Sequence, residues 1–114
     1  MIKIYHNPRC SKSRQALDFL ESSGQEFETI KYLVEIPSKR ELAEIIKKLK
    51  IAPIDLVRKQ EKIWKENYKG KEMSDREIIS AMVEHPIIIE RPIVINGNKA
   101  AIGRPIENIE DVLD

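Results

Sequence analysis

One cysteine in 114 residues cannot close an internal disulfide. It suits a reducing, cytoplasmic setting. Any redox cycle through that thiol then needs a sulfur from another molecule. Aromatic residues make up only 5% of the chain, so Ile, Leu and Val must fill its core. The formal net charge is +1, with 20 Lys and Arg against 19 Asp and Glu. No global field therefore draws the chain to nucleic acid or to an anionic membrane. It is expected to carry neither a signal peptide nor a membrane span, because no apolar run is long enough for either task. No Cys/His cluster has metal-ligand spacing, and no glycine-rich phosphate loop is present. Neither a bound cofactor nor a metal is expected.

What is present reads as one domain over residues 1–114, large enough for its own core. Met1 to Tyr5 predicts a strand. Residues 11 to 23 carry Ala16, Leu17 and Leu20 at helical spacing and stop at Gly24. Glu26 to Tyr32 predicts a second strand, parallel to the first because a helix joins them. Ser38-Lys39-Arg40-Glu41 and Ser74-Asp75-Arg76-Glu77 are capping boxes, and each opens an amphipathic helix. The second helix should end before Pro86. Between them, Ile54 to Arg58 suggests a helical turn, and residues 59 to 72 are densely charged around Trp64 and Tyr68. Arg91 to Ile95 predicts a strand, Asn96-Gly97 a hairpin turn, and Ala100 to Ile102 the returning strand. Residues 107 to 113 predict a short helix. The order β-α-β, helices, ββ hairpin, α is a thioredoxin-like α/β layout. It implies a mixed four-stranded sheet with a helical insertion at about 38–85.

The candidate chemistry gathers around Cys10. It follows His6-Asn7-Pro8-Arg9, where the first strand ends and the first helix begins. Backbone N–H groups and the positive end of a helix dipole favour an anion there, and the thiolate is the reactive form of cysteine. In this layout the loop before the hairpin returns beside that turn, so Arg91 and Arg104 are candidates to converge on Cys10. Arg58 lies beside another turn signal. Guanidinium groups match tetrahedral oxyanions and would hold a nearby thiol ionised. His6 either adds positive charge or orients a group by hydrogen bonding. His85 precedes Pro86 at a helix end, where a cation complements the dipole. Trp64 and Tyr68 read as packing residues.

These residues carry a resemblance that covers essentially the whole chain. His6-Asn7-Pro8 with Cys10, Leu56 to Lys59, His85-Pro86 through Glu90 to Val94, and Ile102 to Pro105 occur in the order of one family. The chain resembles the glutaredoxin-coupled, ArsC-like arsenate reductases of the thioredoxin fold, in the branch that opens Tyr-His-Asn-Pro-Arg-Cys-Ser-Lys-Ser-Arg. The resemblance implies that Cys10 attacks arsenate and forms a thiol-bound arsenic ester. It implies that Arg58, Arg91 and Arg104 hold the oxyanion, that His6 helps keep the cysteine ionised, and that Pro92 forms the cis-proline loop. Glutathione as co-substrate would then attack the arsenic, and glutaredoxin would remove it as a mixed disulfide, releasing arsenite for detoxification.

Two other readings share the fold. The same thiol would serve to reduce another oxyanion or a glutathione adduct. An Spx-like regulator that binds RNA polymerase is the third, but many of that group carry a Cys-x-x-Cys switch, and position 13 here is Ser13.

Overall fold

The computed structural model describes residues 1–113; the end of the expected domain, Asp114, lies outside the described residues. The chain forms two compact units. One comprises Met1–Glu35 together with the segment from Arg91 onward, and the other is Ile36–Glu90.

The first unit is built on four short strands, β1 (Ile2–Tyr5), β2 (Phe27–Ile30), β3 (Ile93–Asn96) and β4 (Lys99–Ile102), in the order β2-β1-β3-β4. β1 pairs parallel with β2 and antiparallel with β3, and β3 pairs antiparallel with β4. This is the mixed four-stranded sheet that the element order predicts. Period-two alternation sends Ile2 and Ile4 of β1 and Val94 of β3 into one core. Ala16 and Leu20 of α1 (Ser11–Ser23) and Ile109 and Val112 of the 3₁₀ segment Ile106–Val112 complete that cluster. Ala16 and Leu20 are four apart and so share one helix face. With few aromatics available, aliphatic side chains fill the space, each worth roughly 1.5–3 kcal/mol when fully buried. α1 ends where expected, with Gly24 in the left-handed conformation at φ 75°.

The hairpin differs from its sequence reading by one residue. Asn96 is still a strand residue, paired with Lys99, and Gly97-Asn98 forms the two-residue loop. Gly97 has φ 62° at the first loop position, where a type II′ turn asks for glycine. Asn96 instead spends its side chain on the unit's closing segment, with Nδ2 donating to the Val112 carbonyl at 2.8 Å. That closing segment is 3₁₀ rather than α-helical.

The second unit is helical. α2 (Lys39–Leu49) and α4 (Asp75–Glu84) open on the two predicted capping boxes, both fully formed. Ser38 Oγ accepts from Glu41 N–H at 3.1 Å while Glu41 Oε1 accepts from Ser38 N–H at 3.2 Å. Ser74 and Glu77 repeat the exchange at 3.2 and 2.9 Å. Leu42, Ile45 and Ile46 of α2 and Ile78, Ala81 and Met82 of α4 are buried, as is Leu56 of the 3₁₀ turn Pro53–Leu56. The charged stretch contains a helix that its sequence gave no period for, α3 (Lys62–Asn67). Its Trp64 is buried and stacks on Tyr68 at 5.4 Å, and Tyr68 meets His85 edge-on at 6.1 Å. His85 is the C-cap of α4. An antiparallel bridge joins Val57 to Ile89, flanked by Arg58 N–H to the Ile88 carbonyl and Glu90 N–H to the Leu56 carbonyl, each at 2.7 Å.

Candidate active site

Five residues connect β1 to α1, and backbone bonds tie them into a tight turn. His6 N–H donates to the Ile30 carbonyl at 2.8 Å and extends the β1–β2 ladder. Asn7 Oδ1 accepts from Arg9 N–H at 3.0 Å, and the Asn7 carbonyl accepts from Cys10 N–H at 3.0 Å. Arg14 reaches back from α1 to give Nη1–H to the Pro8 carbonyl at 2.9 Å. Cys10 is the N-cap of α1, with extended φ −95° and ψ 121°, and its carbonyl accepts the first helical bond from Arg14 N–H. Its side chain makes no capping bond. The half-buried sulfur is therefore available to other groups.

Two arginines come to it from the far end of the sequence. Arg104 Nη2 lies 3.2 Å from Cys10 Sγ. The same guanidinium donates through Nε to the Arg91 carbonyl, at 2.6 Å. One planar fork thus binds both the sulfur and the loop that carries the second arginine. Arg91 is itself buried, and its guanidinium hydrogen-bonds the thiol. A buried charge needs such a partner. Asn108 holds the Arg104 backbone in place, with Nδ2 donating to the carbonyls of Arg104 and Ile102 at 3.3 and 3.1 Å. The Arg91–Pro92 peptide bond is cis, and so is Arg104–Pro105. Gly103 N–H donates to the Pro92 carbonyl at 2.9 Å. A Cβ on Gly103 would come within 3.0 Å of Pro92 Cγ and 3.1 Å of Ile109 Cδ1, so only glycine fits between them without displacement.

Burial pushes the Cys10 thiol up, but the Ser13 backbone N–H, the Arg91 hydrogen bond and the charges of Arg104 and Arg91 outweigh it. The thiol is held below the ordinary cysteine value, which favours the thiolate.

His6 takes part in hydrogen bonding beside the turn. It is buried, and Nδ1 lies 3.0 Å from Ser13 Oγ. Burial lowers its pKa from the ordinary 6.5; a hydrogen bond with the Ser13 backbone acts the other way, and Lys31 and Arg14 lower it further. At neutral pH the ring is mainly uncharged. Of the two roles weighed from the sequence, hydrogen bonding is the one the geometry shows. Arg58 belongs to the helical unit. There its Nη1 lies 3.4 Å from Glu90 Oε1 and its Nε 4.0 Å from Glu61 Oε2.

Three site residues escaped the sequence reading. Asn7 shapes the turn, and the Asn-Pro pair is a signal that points to that. Ser13 is fully buried and bonded to His6 and Asn7. Gly103 lets the Pro92 loop close. Neither of these two carries a local signal, because both act through contacts distant in sequence. Among the described residues no group of three or more His, Cys, Asp or Glu side chains is arranged to hold a metal ion, and no helix is long and apolar enough to cross a membrane.

Comparison with known proteins agrees with this architecture. The chain is 45% identical to an arsenate reductase of Neisseria meningitidis, over 98% of this chain and 97% of that one. It is 37% identical to an arsenate reductase of Escherichia coli, covering 98% of this chain and 80% of the other. A solved arsenate reductase from Vibrio cholerae superposes with a TM-score of 0.93 at 41% identity, covering 98% and 97% of the two chains. The fold is thus the thioredoxin-like α/β fold of those enzymes. A model of the ArsC family matches residues 5–112, and with relatives this similar along nearly its whole length the chain belongs to that family.

Proposed function

We propose that this chain reduces arsenate to arsenite through Cys10, using glutathione and glutaredoxin as external thiols in the cytoplasm. The observation that carries the reading is the Arg104 fork 3.2 Å from Cys10 Sγ, with Arg91 on the same sulfur, in a chain of the ArsC family. The same cations that ionise the thiol attract a tetrahedral oxyanion to it.

The reaction follows from those groups. The Cys10 thiolate attacks arsenic, a hydroxyl leaves as water after protonation, and a sulfur–arsenic(V) bond forms. Arg91 and Arg104 stabilise the charge on the arsenate oxygens as the bond forms. Arg58 is assigned to the same task by its family match. Glutathione thiol then replaces a second hydroxyl on arsenic. The glutaredoxin thiolate attacks the glutathione sulfur, giving a mixed disulfide. The electron pair of the broken sulfur–arsenic bond stays on arsenic, which becomes arsenic(III). Hydrolysis of the remaining sulfur–arsenic bond releases arsenite and restores the Cys10 thiol. Both electrons come from outside the chain, as a single free thiol requires.

The test is arsenate-dependent NADPH oxidation with glutathione, glutaredoxin and glutathione reductase present. Turnover by the wild type and its loss in Cys10→Ser is the expected result. Absence of turnover by folded wild type, with coupling enzymes shown to be active, refutes the reading.

A further inference from the structure

We propose that Ser13 is a positioning residue for the Cys10 thiol, and that its hydroxyl donates to His6 Nδ1 and so holds His6 as the Nε2–H tautomer. Ser13 lies in the first turn of α1, is completely buried and has no motif that marks it. A serine hydroxyl has one proton to give and lone pairs to accept with. Ser13 Oγ lies 3.0 Å from Asn7 N and 3.0 Å from His6 Nδ1. The Asn7 N–H can only donate, so it takes a lone pair of the oxygen. The hydroxyl proton then goes to the other partner, the ring nitrogen. Nδ1 must be the acceptor, and the ring proton sits on Nε2. The opposite tautomer would point two N–H donors at one oxygen and leave the serine proton buried without either of these partners to accept it.

The consequence reaches the cysteine along one short path. Ser13 Oγ holds the Asn7 backbone N–H, and the Asn7 carbonyl holds the Cys10 N–H at 3.0 Å. The Ser13 backbone N–H also helps hold the Cys10 thiol below its ordinary pKa. One residue thus clamps the turn that carries the cysteine. His6 acts through Ser13, as a neutral acceptor that orients the hydroxyl.

This inference rests on Cys10 being the reacting thiol, but its test needs no arsenate, so the two readings fail separately. Cys10 is the sole cysteine, and its alkylation by iodoacetamide can be followed against pH. Ser13→Ala is expected to raise the pH midpoint of alkylation and to slow the reaction at pH 7 by roughly three- to tenfold, half to one pKa unit. The limiting rate at high pH should hold. A serine that merely packs would change the melting temperature and leave the midpoint where it was, and that result overturns the proposal. The second measurement uses the wild type alone. Long-range ¹H–¹⁵N correlation of the His6 ring at neutral pH should show the Nε2–H tautomer, whereas a protonated Nδ1 contradicts the assignment whatever the variant does.

Discussion

Cys10 illustrates how little a reactive residue owes to its own side chain. A cysteine at a helix N-terminus is half of the arrangement; the other half is the arginine fork brought by the β4 exit. Arg104 spends Nη2 on the sulfur and Nε on the Arg91 carbonyl, so both bonds depend on the planar guanidinium. Arg104→Lys keeps the charge and loses the fork. It should slow Cys10 alkylation at neutral pH on the order of tenfold, about one pKa unit, with the pH midpoint moving up. An unchanged pH profile would show that charge alone suffices. Cys10, Arg91 and Arg104 were legible in the sequence because a thiol at a strand–helix junction and arginines beside turn signals are local patterns. Ser13 was not, since a serine in the first turn of a helix is ordinary until burial gives it two partners.

Elements were legible where their ends carry chemistry. Both capping boxes, the Gly24 stop and the parallel β1–β2 pair follow from side chains that act within four residues or from a joining helix. α3 was missed because its sequence is charge-dense; its anchor is the buried Trp64, which stacks on Tyr68. The hairpin register slipped by one because Asn96-Gly97 satisfies the local turn preference, whereas Asn96 is claimed by the Val112 carbonyl. The caps and the tight loop make separate predictions. Ser74→Ala removes the acceptor for Glu77 N–H and should cost about 1 kcal/mol in urea unfolding. Gly103→Ala forces a methyl against Pro92 and Ile109 and should cost roughly 1–3 kcal/mol. It should also slow Cys10 alkylation, because the Pro92 loop carries Arg91; a destabilised variant with wild-type reactivity would separate loop packing from the site.

For the molecule as a whole, the two shifted groups at the site, Cys10 and His6, make stability depend on pH in the same direction. Cys10 is an acid with a depressed folded pKa. Its contribution is fully present above the ordinary cysteine range and is lost as pH falls through the folded value. His6 is held neutral by burial, so its contribution is present above about 6.5 and is lost as pH falls through its lower folded value. The difference in melting temperature between wild type and His6→Gln should therefore shrink as pH drops below 6.5, and a difference constant across that range would contradict the assignment of a buried neutral ring. The sequence placed every strand and the two capped helices in order. It could not show that the chain packs as two compact units, Ile36–Glu90 forming one of them, because that division depends on contacts between distant segments.

The most direct test of the central claim is whether arsenate protects Cys10 from alkylation. The thiol and its arginines are held to be the oxyanion site, so arsenate should slow iodoacetamide modification of the wild type saturably, and Arg104→Ala should lose most of that protection. Alkylation at the same rate at every arsenate concentration would mean that the oxyanion does not bind at this sulfur, and the account of the site would be wrong.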